Sequence, residues 1–203
     1  MPRTRKHPTE KDALSLLKED HHKVRGLLAQ IAESSERATT KREELLAAIE
    51  RELKIHTTIE EQIFYPAFRD ATEKAEDRKL YFEAREEHHV VDTVLSELKS
   101  TDPASETFAA KAKVLKDLVE HHAEEEETEM FPRARKLLGR DELVRLGEEL
   151  AQAKVSLTER VLTKLVEPGP TLRALPRFQD AVSGSGPTMA SGRTIRSKSS
   201  GDT

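Results

Sequence analysis

The 203-residue chain contains no cysteine and no tryptophan. Without cysteine it has no disulfide framework, no nucleophilic thiolate and no thiolate ligand for zinc or an iron–sulfur cluster. Other aromatic residues are few, with two Tyr and six Phe, while charged residues make up 35% of the chain. This composition is typical of amphipathic helices around a modest core.

Long apolar segments and a strong charge of one sign are also missing. No apolar run approaches the ~18 residues that span a membrane, and the charged N-terminus lacks the apolar stretch of a signal peptide. The net charge of −4 argues against a general nucleic-acid-binding protein. We therefore expect a cytoplasmic protein without a nucleic-acid or membrane partner.

One unit of sequence occurs twice. Three residues of the first half recur 66 positions later, and a preceding histidine recurs 67 positions later. In the first half these residues are His21, His56, Glu60 and Pro66; in the second they are His88, His122, Glu126 and Pro132. Such a repeat predicts one site built by two similar halves.

The repeated residue types suit a metal. Residues four apart share a helix face, so His56 and Glu60 point the same way, as do His122 and Glu126. Imidazole and carboxylate together suit iron, manganese or zinc, and two histidines with one carboxylate per half match the iron facial triad. Aliphatic neighbours at helical spacing place all four histidines on core-facing stripes. The predicted metal ligands are His21, His56, Glu60, His88, His122 and Glu126.

Neighbouring histidines offer an alternative ligand set. Glu19-x-x-His22 and Glu86-x-x-His89 match the Glu-x-x-His motif of ferritin-like di-iron bundles. Polar neighbours predict that His22 and His89 are exposed, and this alternative leaves four core-facing histidines unexplained. The repeat register likewise selects His122 over His121.

The motifs together resemble the hemerythrin-like, or HHE cation-binding, domain over residues 10–138. The matching segments are Asp20-His21-x-x-Val24-x-x-Leu27-Leu28, His56-x-x-x-Glu60-Glu61-x-x-Phe64-Tyr65-Pro66, Glu87-His88 with Leu95-x-x-Leu98, and His122-x-x-x-Glu126-Glu127-x-x-Met130-Phe131-Pro132. The resemblance implies an all-α, up-down-up-down four-helix bundle with a non-haem di-iron centre between its helices.

The resemblance also implies a role for each ligand. Two pairs, His21 with His56 and His88 with His122, would each hold one iron, and both glutamates would bridge. Oxygen-carrying hemerythrins have a further histidine where this chain has Asp92, and His-x-x-x-x-Asp where it repeats His-x-x-x-Glu. The chain therefore resembles the symmetric six-ligand subgroup, whose members sense or react with oxygen, peroxide or nitric oxide, or handle iron.

The expected cofactor is a pair of oxo- or hydroxo-bridged non-haem irons, although manganese or zinc would accept the same ligands. Four imidazoles and two bridging carboxylates fill about eight of roughly twelve coordination positions, which leaves room for a peroxide or diatomic ligand. The expected chemistry is either weak catalase-like peroxide decomposition or a redox change controlled by ligand binding. Sensing without turnover, ferritin-like iron handling, a structural metal and a metal-free bundle are the alternatives.

Caps and breakers divide the chain into an N-terminal arm (1–9), the bundle (10–138), an additional helix (140–166) and a disordered tail (167–203). Within the bundle the predicted helices span 10–36, 41–69, 72–100 and 104–138. Pro66 and Pro132 should bend their helices, and Gly139 should end the fourth. The additional helix should pack on the bundle, or else contact a second copy or a protein partner.

Three residues next to the predicted ligands receive structural assignments from the sequence. Tyr65 is expected to supply an aromatic body, because its repeat partner is Phe131. Glu61, Glu127 and the Tyr65 hydroxyl could add to the site, but the sequence favours a purely structural role for each.

Overall fold

The computed structural model describes residues 11–166, with side chains described up to residue 160. The predicted arm (1–9) and tail (167–203) lie outside the described residues. Every regular element within the described part is helical. The elements are α1 (Ala13–Ala32), α2 (Thr39–Ile59), the π-helical turn π1 (Glu60–Phe64), α3 (Tyr65–Asp70), α4 (Ala75–Lys99), α5 (Glu106–Glu125), the π-helical turn π2 (Glu126–Met130) and α6 (Phe131–Val166).

These elements form the predicted up-down-up-down four-helix bundle. The second rod is α2 continued through π1 into α3, and the fourth is α5 continued through π2 into α6. Helix α1 packs against α2 and α5, and α4 packs against α5. Among the described residues, no helix combines the length and apolar character needed to cross a membrane.

Two helices begin three residues later than predicted, because local hydrogen bonds hold the preceding residues in a cap or a turn. Helix α1 begins at Ala13, since the Asp12 carboxylate accepts a hydrogen bond from the Ser15 amide at 2.8 Å and caps it. Helix α4 begins at Ala75 rather than at residue 72. The Thr72 hydroxyl accepts from the Lys74 amide at 3.1 Å, which holds Thr72 in the turn before the helix.

The core consists of two apolar clusters with a polar layer between them. One cluster contains Leu17 and Ala84, and the other contains Val24 and Val91. His21 lies between Leu17 and Val24 in the sequence, and His88 lies between Ala84 and Val91. Each histidine lies about one helical turn from either cluster on the same helix face, so the histidines form a separate buried layer between the clusters.

The two repeated prolines are accompanied by π-helical turns, which the sequence analysis did not predict. Each turn begins at a predicted ligand and ends two residues before the proline. The amide of Tyr65 donates to the carbonyl of Glu60, five residues earlier, in place of an α-helical bond. Because proline lacks an amide hydrogen and its ring crowds the preceding turn, this wider turn lets both rods continue.

The additional helix (residues 140–166) packs on the bundle. Gly139 interrupts α6 with φ 73° and ψ 174°, a conformation that favours glycine, and so redirects the chain. Leu143, Leu146 and Leu150 are buried in the cluster that contains Leu17. A partner surface on the outer face of this helix, where Val155 is exposed, stays a prediction.

Candidate metal centre

The six predicted ligands come together in the buried polar layer between the two apolar clusters. Each exposes 5% or less of its surface, and both glutamates expose 2% or less. His22, His89 and His121 point outward, as helical spacing predicts. The Glu-x-x-His alternative is therefore wrong, because its histidines lie on the solvent-facing side. The buried set is His21, His56, Glu60, His88, His122 and Glu126.

The Glu60 carboxylate lies among histidines from both halves of the repeat. One of its oxygens is 3.2 Å from His56 Nε2 and 3.4 Å from His88 Nε2. The other is 3.9 Å from His21 Nε2. Since α2 ends at Ile59 and π1 begins at Glu60, this carboxylate projects from the first residue of the wider turn.

Glu126 repeats this arrangement from the other side of the bundle. Its Oε2 lies 3.1 Å from His21 Nε2 and 3.7 Å from His122 Nε2. Donor atoms of His21, His56, Glu60 and Glu126 lie within 4.8 Å of one another. Those of Glu60, His88 and His122 do the same, so Glu60 belongs to both groups and has the placement of a bridge.

Every inward-facing histidine turns its Nδ1 toward a carboxylate. Glu127 lies 3.0 Å from His21 Nδ1, and Glu61 lies 2.9 Å from His88 Nδ1. Glu87 lies 2.7 Å from His122 Nδ1, whereas Asp20 lies farther, 3.6 Å, from His56 Nδ1. Such outer carboxylates fix the ring orientation and tautomer of a metal-binding histidine and raise its basicity.

The outer carboxylates follow the repeat. Asp20 and Glu87 each precede the first histidine of a half and contact the second histidine of the same half. Glu61 and Glu127 each follow the glutamate of a half and contact the first histidine of the other half.

Glu61 and Glu127 therefore contact the site, the less favoured of the two interpretations that the sequence allowed. The signal was their register directly after Glu60 and Glu126, but their partners lie on distant helices. Only the tertiary structure shows these contacts.

Tyr65 also differs from the sequence-based assignment, because its hydroxyl reaches the polar layer. The residue is fully buried, and its hydroxyl lies 3.3 Å from His88 Nε2. Its repeat partner, Phe131, stacks on His21 with ring centroids 5.8 Å apart and offers no hydroxyl. The two halves thus present different groups to otherwise matching histidines.

Burial and the electrostatic effect of neighbouring ionisable groups shift the pKa values of the candidate ligands. Burial lowers the pKa of His56 to about 4, and burial with the nearby His122 lowers the pKa of His88. Burial and the charge of Glu126 raise the pKa of Glu60 well above its usual range. Burial opposes ionisation of Glu126 too, but His122 and His21 outweigh it and lower its pKa. Neutral His56 and His88 are the forms that bind metals.

The inward-facing atoms fit a bound cation. Both oxygens of Glu60 and of Glu126, and Nε2 of His21 and His56, are buried and make no well-formed hydrogen bond. Their nearest polar atoms are those of the other candidate ligands. His88 Nε2 and His122 Nε2 face each other at 3.1 Å. If both rings are neutral and each Nδ1 donates to its carboxylate, both Nε2 atoms carry lone pairs, and a metal ion between them would relieve the repulsion of the two lone pairs. The donor set of nitrogen and oxygen is the one that iron, manganese or zinc accepts.

A small cavity adjoins the histidines on the side away from the π-helical turns. Its volume is about 10 Å³, close to the smallest space that holds one water-sized molecule. The four histidines share its wall with aliphatic side chains. The aliphatic residues include Val24, Leu53, Val91 and Val119.

A further group of possible cation ligands lies at the surface of the second half. Glu87, His121 and Glu125 have donor atoms within 4.8 Å of one another. The His121 side chain is 63% exposed, and the group borders an open groove of about 740 Å³. This group is therefore open to solvent, unlike the buried layer.

Comparison with known proteins gives a family and a similar structure. The sequence profile described as Hemerythrin HHE cation binding domain matches residues 12–134. The chain is similar to a crystal structure of a hemerythrin HHE cation-binding domain-containing protein from Mycobacterium kansasii, with a TM-score of 0.68 and 32% identity. That similarity covers 78% of this chain and 94% of the other.

A more distant relative is a protein from Nostoc sp. named DNA nickase. It is 25% identical over 146 residues, which are 72% of this chain and 40% of the relative. The chain thus spans less than half the length of that relative.

Proposed function

Because the chain belongs to the hemerythrin HHE cation-binding domain family, we propose that its buried layer binds two non-haem iron ions. His21 and His56 form the first position, and His88 and His122 form the second. Glu60 and Glu126 bridge the two positions. When bound, the iron pair supplies redox chemistry and open coordination positions for oxygen, peroxide or nitric oxide.

The observation that carries this proposal is the convergence of unpaired buried atoms. Buried polar atoms without partners cost stability, and buried charges are otherwise paired or coordinate metals. Here the oxygens of Glu60 and Glu126, which make no well-formed hydrogen bond, lie between two pairs of inward-facing imidazoles. Outer carboxylates contact three of the four imidazoles, those of His21, His88 and His122, and hold them in orientations that suit metal binding.

The chain's own residues also favour a small ligand. The cavity beside the histidines has room for about one water-sized molecule, and its aliphatic wall excludes larger polar substrates. We therefore propose binding or reaction with oxygen, peroxide or nitric oxide, including weak peroxide decomposition. Sensing without turnover uses the same site, whereas iron handling would require release of the metal from a layer that exposes 5% or less of each ligand.

We do not propose DNA nicking as a function of this chain. The chain matches only 40% of the length of the relative named DNA nickase. Its net charge of −4 is also unfavourable for contact with a phosphate backbone.

Iron content tests the proposed centre. Protein produced in iron-supplemented medium should contain about two irons per chain, given the two donor groups, and should show a charge-transfer spectrum that changes on addition of peroxide or nitric oxide. The double variant His56→Ala, Glu126→Ala should lose this iron, because it removes a ligand from each half.

The exposed histidines provide a matched control. His22→Ala, His89→Ala removes two exposed histidines that adjoin the ligands His21 and His88 on α1 and α4, and it should leave the iron content unchanged. An unaltered iron content in His56→Ala, Glu126→Ala would contradict the proposed centre. A spectrum insensitive to peroxide, oxygen and nitric oxide would contradict the proposed reactivity but leave the metal site standing.

A further inference from the structure

The two halves supply matching ligands, but the charges around those ligands differ. At the first position, both outer carboxylates are ion-paired with a basic side chain. Glu127, which contacts His21, lies 2.7 Å from Arg25 Nη1. Asp20, which faces His56, forms a part-buried ion pair with Lys154 of the additional helix.

At the second position, the outer carboxylates have no such partner. Among the described residues, neither Glu61 nor Glu87 forms an ion pair with a lysine or arginine. The second oxygen of Glu87 faces the His121 ring, with Nε2 3.8 Å away. Arg85 lies close enough to Glu61 to interact with its charge but forms no ion pair with it. Neither carboxylate therefore has its charge offset by a direct lysine or arginine contact like those of Asp20 and Glu127.

The difference is encoded in the sequence as well as in the packing. The repeat register that relates His21 to His88 places Asp92 opposite Arg25. Lys154 has no counterpart, because the additional helix lies beyond the repeated unit. The first half thus has a basic residue, Arg25, where the second half has an acidic one, Asp92, so the surroundings of the two metal positions are unequal.

We infer that the two metal positions differ in affinity, and that the position of His88 and His122 fills first. An outer carboxylate that keeps its full charge makes its histidine a stronger ligand and also attracts the cation directly. At the first position, Arg25 and Lys154 partly neutralise the outer carboxylates, and their positive charges repel a bound metal ion. This inference rests on the proposed di-metal centre.

Cobalt(II) binding to metal-free protein tests the order. His56→Ala leaves only the second histidine pair intact, and His122→Ala leaves only the first; both replaced side chains are buried to a similar degree. Calorimetry and cobalt visible absorption should show that His56→Ala binds cobalt about tenfold more tightly than His122→Ala. Equal affinities, or the opposite order, would overturn the inference.

Removal of one cation tests the cause. In the His122→Ala background, Lys154→Met should tighten cobalt binding at the first position, whereas Lys154→Arg should leave it unchanged. Lys113→Met is the matched control, since Lys113 is 69% exposed and, within the described part of the chain, pairs only with Asp117. Circular dichroism verifies folding of each variant. Arg25→Met provides a second test if Lys154→Met does not fold.

The outcomes separate this inference from the proposed function. If wild-type protein binds no cobalt and no iron, the metal centre itself is wrong and the inference falls with it. If wild-type protein binds two metal ions but the single-position variants have equal affinities, only the inference is wrong. Lys154→Met and Arg25→Met with unchanged affinity would likewise refute the role of the cations alone.

Discussion

Two glutamates in matching sequence contexts have opposite acid–base behaviour in this structure. Burial and the adjacent charge of Glu126 raise the pKa of Glu60, while His122 and His21 lower that of Glu126 in spite of burial. The raised pKa favours the protonated form of Glu60 in the metal-free cluster. Because a carboxyl group binds a metal in its ionised form, metal binding at Glu60 should release a proton.

Replacement of Glu60 by Gln should stabilise the metal-free protein at neutral pH. The pKa of Glu60 is raised on folding, so the wild type loses stability as pH rises above about 4.5, the region where the unfolded chain ionises. Glutamine carries no such penalty, which is of the order of 1–3 kcal/mol for a buried group without partners. Chemical denaturation should show the gain at pH 8 and a much smaller difference near pH 4.

The exposed Glu44 gives the control for this substitution. Glu44→Gln should leave the free energy of unfolding unchanged at both pH values. An equal gain at pH 4 and pH 8 for Glu60→Gln would contradict the ionisation argument. The same variant should bind metal more weakly, since it removes a charged ligand from the bridging position.

At the level of elements, the additional helix is joined to the bundle by close backbone contact as well as by buried leucines. A Cβ added at Gly147 would lie 3.0 Å from the Ala13 amide nitrogen and still closer to the Lys11 carbonyl oxygen. The glycine therefore lets the helix approach the start of α1. The ion pair between Lys154 and Asp20 joins the same two helices, α6 and α1.

Gly147→Ala should destabilise the protein by about 1–3 kcal/mol, because the new methyl group meets backbone that cannot move away freely. Gly26→Ala is the matched control. Gly26 lies in the interior of α1 with nothing within 4 Å of an added Cβ, so alanine there should stabilise by up to about 1 kcal/mol. Thermal unfolding compares the two variants directly. A stabilising Gly147→Ala would show that the helix does not approach α1 so closely.

At the scale of the whole molecule, a layer of unpaired polar groups separates two apolar clusters. The apolar clusters on both sides exclude water from this layer, so the oxygens of Glu60 and Glu126, which make no well-formed hydrogen bond, reduce the stability of the metal-free fold. A metal that binds the folded chain and not the unfolded one recovers this loss. Stability and metal content should therefore be tightly linked.

Metal loading should raise the melting temperature substantially. Free metal at about 100 times its Kd adds about 2.7 kcal/mol, which corresponds to roughly 5–10 °C for a domain of this size. Scanning calorimetry of the metal-free protein with added iron(II) or cobalt(II) measures the shift, and a chelator should reverse it. Magnesium should have little effect, because it prefers oxygen ligands and retains its waters. An equal shift with magnesium would contradict the assigned donor set.

The sequence by itself determined the fold class and the burial of the six candidate ligands, because helical spacing and the repeat register place each of these residues on one face. It also indicated the break at Gly139. It did not predict the π-helical turns, since a wider turn depends on how a proline is accommodated within a packed rod.

Only the tertiary structure decided the surroundings of the histidines. The contacts of Glu61 and Glu127 cross from one half to the other, and the ion pair of Lys154 joins residues 134 positions apart. Sequence spacing reports which residues share a helix face, but it carries no information about which faces meet. For this reason the repeat predicted two equal positions, whereas packing of the additional helix makes their surroundings unequal.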